Sequence, residues 1–267
     1  MTFRGIAALE SLSQSVLGLE NMVDDAAWAR PSACPGWTNH DVLIHLVCTL
    51  REIVEPETLP APFPGSVERT NDVAVAAYRS ERLGQTFDTY RRLVKPAMAA
   101  LGTMQQQPAA SEVVDFDDAG SYPAHLVADS LVFDHYCHLR HDLAAPRGTV
   151  ASLTIGADEA VMSASLAWLL AGLPQMSPRR LSSALTRPVV LFLDGPGGGH
   201  WTLVPSGDGR RITVEPGGLS TAGARIRATA DSFHLWGTHR QSWHEADLDI
   251  SGDRELARNV LDALHVI

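Results

Sequence analysis

The chain has 267 residues, 45% of them hydrophobic and 19% charged, and a formal net charge of −10. That composition is ordinary for a folded globular protein, excludes disordered and fibrous classes, and leaves room for two modest domains with a buried core. The acidic balance, without a clustered Lys/Arg footprint, argues against a nucleic-acid partner, and no apolar run approaches the ~18 residues of a membrane span.

The opening stretch MTFRGIAALESLSQSVLGLE spaces Ile6, Leu9, Leu12, Val16 and Leu19 at three- and four-residue steps, which predicts a helix. It lacks the continuous apolar block and small-residue cleavage site of a signal peptide. Cys34, Cys48 and Cys137 fit no disulfide framework, so a reducing, cytoplasmic setting is expected, with each thiol a small buried hydrophobe. In CPGWTNHDVLIHLVCTL (34–50), Thr38 and Asp41 have capping-box spacing, and Trp37 with Val42 occupies hydrophobic-staple positions, so a helix begins there. His45 falls on its second turn, on a largely apolar side. A lone histidine there reads as a hydrogen-bonded core residue unless partners come from elsewhere.

The four prolines of PETLPAPFPGSVERTND (56–72) predict a loop, and 104–121 reads as a second polar connection. Apolar positions in 72–101, 124–145 and 156–172 again have helical spacing, so the first two-thirds of the chain reads as a helical bundle. Within it, DHYCHLRHD (134–142) crowds six metal-capable side chains into nine residues: Asp134, His135, Cys137, His138, His141 and Asp142. On an α-helix Asp134, His138 and His141 span an arc of about 60°, while His135, His138 and Asp142 form a second arc beside it. Carboxylate and imidazole at i and i+4, with an imidazole from a neighbouring helix, would build a three-ligand site with open positions. The plainer alternative is ion pairing among these groups and Arg140, or simple exposure; Cys48 and Cys137 are possible softer ligands. Serine-hydrolase chemistry is not indicated, since no G-x-S-x-G elbow occurs.

Near Pro174 the pattern changes. PVVLFLD (188–194), HWTLVP (200–205), RITVEP (211–216) and ARIRATA (224–230) are short, β-branched and turn-bounded, as strands are. DGPGGGH (194–200) lies between two of them and opens no helix, so it reads as a hairpin turn rather than a phosphate loop. DSFHLWGTH (231–239) and GDRELARNVLDAL (252–264) read as helices. The expected organisation is a two-domain α+β chain, with a helical bundle over 1–178 and a small α+β domain over 179–267.

CPGWTNHDVLIHL resembles the signature of the mycothiol-dependent maleylpyruvate isomerase family, and GGGHWTL, FHLWGTHR and DISGDRELARNVLDAL are similar to that family's C-terminal segment. The resemblance spans nearly the whole chain. It implies a DinB-like four-helix bundle followed by a sterol-carrier-like domain. It also implies a divalent metal, usually zinc, held by His45 with Asp134 and His138 in an acid-x-x-x-His arrangement. Arg240, after the Leu-Trp helix, matches an arginine that serves the active site.

The chemistry so implied uses mycothiol or another low-molecular-weight thiol on a small-molecule substrate: the thiolate adds to a cis double bond conjugated to a carbonyl, the resulting single bond rotates, and elimination gives the trans alkene. S-conjugation is the variant in which the thiol stays on the product. Where the family's isomerase has Glu, this chain has the shorter Asp134, and His135, His141 or Asp142 would permit a shifted triad. Two other readings remain: a non-catalytic small-ligand carrier lined by Trp201, Trp236 and Trp243, and a thiol-independent metalloenzyme. Oligomeric state is left open.

Overall fold

The computed structural model describes residues 4–176 and 178–266. Residues 1–3 of the opening stretch, Ser177 near the expected domain boundary and Ile267 lie outside the described residues. The chain divides into two compact units, one ending at Gly156 and one beginning at Ala157.

In the first unit, α1 (Arg4–Met22) buries Leu9, Leu12, Val16 and Leu19 along one stripe, as their spacing requires. A single turn, α2 (Asp25–Trp28), leads to α3 (Asn39–Val54). The α3 start is a complete capping box: Asp41 N donates to Thr38 Oγ1 at 3.1 Å and Thr38 N to Asp41 Oδ2 at 2.8 Å. Trp37, just ahead of the cap, packs on Ile44, Cys48, Ala74 and Val75.

The region expected to be loop and then one helix is built differently. Ser66 caps α4 (Val67–Tyr78), so 67–72 is helical, and Arg79–Arg82 separates α4 from α5 (Leu83–Met104). The prolines end at Pro64, and a serine cap is enough to start a helix two residues later. Within 104–121 the expected connection contains β1 (Val113–Asp115), which pairs antiparallel with β2 (Ser121–Pro123).

Helix α6 (Val127–Cys137) then runs into a π-helical turn, His138–Leu143. Helices α1, α3, α5 and α6 pack as a four-helix bundle, with α4 against α3. Leu46, Leu50, Phe87, Tyr90, Leu93 and Val132 fill its centre with no exposed surface. Each such side chain stabilises the fold by about 1.5–3 kcal/mol.

The second unit opens with α7 (Glu159–Met176), which packs on sheet and helix of that unit. A division at 178/179 assigns that helix to the bundle, because periodicity identifies a helix without saying what it packs against. After α8 (Pro178–Ala184) come β3 (Val189–Asp194), β4 (Gly199–Pro205), β5 (Ile212–Pro216), β6 (Ala224–Thr229), α9 (Ala230–Gly237), β7 (Asp249–Gly252) and α10 (Arg254–Ala263). The sheet order is β5-β4-β3-β6-β7, with β3 and β6 parallel and the other pairs antiparallel. Central strand β3 buries Val189, Val190 and Leu191 completely, the continuous apolar run of a strand covered on both faces. The Gly-rich segment is the β3–β4 hairpin: Gly197 adopts φ +67°, and a Cβ there would lie 2.5 Å from Ser163 N, so a side chain is barred twice over.

Candidate metal centre in the helical unit

His45 sits on α3, seven residues past the Thr38 cap, and is 2% exposed. Its ring lies 5.2 Å from that of Trp37 and 4.7 Å from that of His138. From α6 and the turn that follows, Asp134 and His138 project toward it. His45 Nε2 is 2.9 Å from Asp134 Oδ1, and His138 Nε2 is 3.4 Å from the same oxygen. One ligand atom from each of His45, Asp134 and His138 lies within 4.8 Å of the other two.

The remaining donors of 134–142 go elsewhere. Asp142, four residues on, lies behind the His138 ring, with Oδ2 2.9 Å from His138 Nδ1. His138 Nδ1–H donating to Asp142 leaves the Nε2 lone pair directed at Asp134 and His45, the carboxylate–histidine arrangement that orients metal-bound imidazoles. His141 packs edge-on to Tyr136 at 5.6 Å. His135 is fully buried; its Nδ1–H donates to Leu131 O at 2.9 Å and its Nε2 lies 3.0 Å from Tyr90 Oη, which is 3.1 Å from Ser13 Oγ. That ring ties α6 to α5 and α1. Cys137 is buried in the bundle.

Electrostatics follow from this crowding. Burial opposes ionisation of Asp134, but the His45 and His138 rings outweigh it and hold the carboxyl well below the usual carboxylate range. Burial likewise opposes a charge on His138, yet Asp134, Asp142 and the Cys34 thiol raise its pKa well above the ordinary value. His135 has no such support, and burial pushes it down to about 4. Glu52 lies two turns beyond His45 on the same side of α3. Its side chain reaches solvent, but protein packed around the carboxyl, together with the Asp134 charge, pushes it up to about 7.

The donor set fits a divalent cation. Two imidazole nitrogens aim at one carboxylate oxygen, while Asp134 Oδ2 is buried with no hydrogen-bond donor among the described residues. Two imidazoles, a carboxylate and an orphaned carboxylate oxygen are the ingredients of a three-ligand site with open positions.

Sequence reasoning missed Cys34: far from being buried, it is half-exposed, with Sγ 3.6 Å from His138 Nδ1. It also missed Glu52, whose only signal is its seven-residue spacing from His45. Arg240 lies in the second unit, three residues past α9, and is half-buried.

No curated protein sequence matches the chain. Among solved structures, the chain is similar to a crystal structure of the mycothiol-dependent maleylpyruvate isomerase, with a TM-score of 0.53 at 16% identity over 92% of this chain and 91% of that one. It is also similar to a histidine-to-alanine mutant of that isomerase, with a TM-score of 0.50 at 16% identity over 89% of each chain. At such identity the likeness is one of fold. Residues 9–144, which carry His45, Asp134 and His138, match the family model for the mycothiol maleylpyruvate isomerase N-terminal domain, and the chain belongs to that family.

Proposed function

We propose that the protein is a metal-dependent, thiol-cofactor-dependent isomerase or S-transferase that acts in the reducing cytoplasm on a small electrophilic substrate bearing a carboxylate. The observation that supports this most is the convergence of His45, Asp134 and His138 inside a domain of this family. These three residues would hold a divalent cation, zinc being the one the family resemblance implies, and mycothiol is the thiol the family name suggests.

A cation bound there lowers the pKa of a coordinated thiol, so that thiolate forms at neutral pH. The chain's own residues set the conditions. Asp142 fixes the His138 tautomer, leaving Nε2 free to ligate. Trp37 packs its indole against both imidazoles, limiting their rotation and excluding water from one side. For the substrate carboxylate the family resemblance points to Arg240, whose planar two-pronged guanidinium suits that task.

The test is turnover of a cis-configured enone acid such as maleylpyruvate by the full-length protein with mycothiol, alongside metal analysis. One tightly held cation per chain and thiol-dependent turnover are expected, with His45→Ala losing the cation and roughly a hundredfold or more of the rate. Full turnover by metal-free His45→Ala overturns the ligand assignment. Turnover indifferent to added thiol points to the thiol-independent metalloenzyme, and absence of both cation and turnover points to the carrier.

A further inference from the structure

We propose that Cys34, His138 and Asp142 form a second cation position, on the Nδ1 side of the His138 ring, selective for thiophilic divalent ions. It shares His138 with the centre above but uses neither His45 nor Asp134, and it does not depend on the thiol chemistry proposed there. Cys34 Sγ lies 3.6 Å and Asp142 Oδ2 2.9 Å from His138 Nδ1, and the three ligand atoms are all within 4.8 Å of one another. Sulfur, nitrogen and oxygen around one tetrahedral zinc stand ~3.2–3.8 Å apart, so the Cys34–His138 spacing already suits an ion and the His138–Asp142 pair must open slightly.

The thiol is held where a ligand must be. The loop carrying Cys34 hangs on the π-helical turn itself, through Ala33 N donating to Asp142 O at 3.0 Å. It is braced internally by Cys34 N donating to Ser32 Oγ at 3.1 Å and by Ser32 Oγ donating to Trp37 O at 2.9 Å. Asp142 is 1% exposed, a buried carboxylate beside an imidazole and a thiol. Cys34 is half-exposed, which gives an ion a way in. Burial pushes the Cys48 thiol up to about 12, which makes that cysteine a poor competitor for metal.

A neutral imidazole has a single lone pair, so His138 serves one ion at a time. The two positions are therefore mutually exclusive: thiolate with carboxylate on the Nδ1 side, a second imidazole with carboxylate on the Nε2 side. Softer ions such as cadmium favour the sulfur-containing side.

The test is titration of metal-free full-length protein with Cd²⁺, following the ultraviolet thiolate-to-cadmium charge-transfer band in wild type, His45→Ala and Cys34→Ser. Wild type and His45→Ala are expected to develop the band with one equivalent of Cd²⁺, and Cys34→Ser to lack it. Cd²⁺ is also expected to slow iodoacetamide alkylation of Cys34 in wild type at least tenfold, read by peptide mass mapping; this measurement stands even if Cys34→Ser fails to fold. An undiminished band in Cys34→Ser, alkylation unaffected by Cd²⁺, or no band in wild type overturns the proposal. So does a band in wild type that His45→Ala abolishes, because the thiolate then joins the His45 ion instead. None of these results bears on turnover, which tests the other centre.

Discussion

Cation binding at His45, Asp134 and His138 has to compete with a proton, and the structure sets where that competition runs. Metal-free His138 lies between two carboxylates, with Nε2 3.4 Å from Asp134 Oδ1 and Nδ1 2.9 Å from Asp142 Oδ2. Although burial works against it, these neighbours raise its pKa well above the ordinary value. A group raised in this way stabilises the metal-free fold fully below ~6.5 and loses that contribution as pH rises through the raised value. Ligation needs the neutral ring, so affinity for a cation rises over the same window, with one proton released per ion bound through His138.

The size of the effect separates a raised ring from an ordinary one. Between pH 6.5 and 7.5 an unperturbed imidazole would change the affinity by only about twofold, whereas a strongly raised one gives ~10-fold, or about 1.4 kcal/mol. Competition with a chromophoric chelator across this range measures the slope, and calorimetry in buffers of different ionisation enthalpy counts the protons. Asp142→Asn removes one of the supporting charges: the pH dependence should begin lower, and affinity at high pH should fall ~10–100-fold. Flat affinity with no proton released would refute the assignment of His138 as both charged in the metal-free protein and a ligand in the bound one.

Tyr90→Phe strips the hydroxyl from the chain Ser13–Tyr90–His135 and leaves a fully buried imidazole nitrogen short of a partner. Denaturation should show a loss of about 1–3 kcal/mol with cation stoichiometry unchanged, whereas loss of the cation would give His135 a place in the site. Glu52, raised to about 7, disfavours the fold increasingly as it ionises, so Glu52→Gln should stabilise the metal-free protein at pH 8 and not at pH 4. Solvent at the side chain limits that gain to about 1 kcal/mol, and superimposable Tm–pH profiles for the two proteins would contradict it. A Cβ on Gly148 would fall 2.1 Å from Leu143 O and 2.5 Å from Asp142 O, so Gly148→Ala must displace the backbone of the π-helical turn. Thermal melts and chelator competition should show about 1–3 kcal/mol of destabilisation and weaker cation binding, neither of which is expected from Gly84→Ala, whose Cβ meets open space.

Much of the architecture was legible because single residues announce it. Thr38 and Asp41 mark the start of α3, and its two-turn count places His45 inward. β-branched runs mark β3 to β6, and glycines mark the turn between β3 and β4. What was not legible depends on contacts that no local pattern encodes. The spacing of 156–172 shows a helix, but only packing assigns α7 to the second unit. Four prolines ahead of Ser66 conceal a helix that begins immediately after them.

The site shows the same division at finer scale. Projected on an ideal α-helix, Asp134, His138 and His141 share a face, and Asp142 falls with His135 and His138 in a second arc. The π-helical turn changes that geometry from His138 onward: Ala144 N reaches back to Leu139 O, five residues away, rather than four. The wider turn sends His141 toward Tyr136, five residues back, while Asp142 keeps the i+4 position beside His138 that the second arc gives it. Backbone winding thereby takes His141 out of the first arc. Asp134 and His138 face His45, Asp142 meets the far nitrogen of the shared ring, and His135 is spent on Tyr90. Asp142 O also anchors the loop of Cys34 by accepting from Ala33 N, so the surroundings of His138 Nδ1 depend on a tertiary contact that the 3.6-residue repeat cannot reveal.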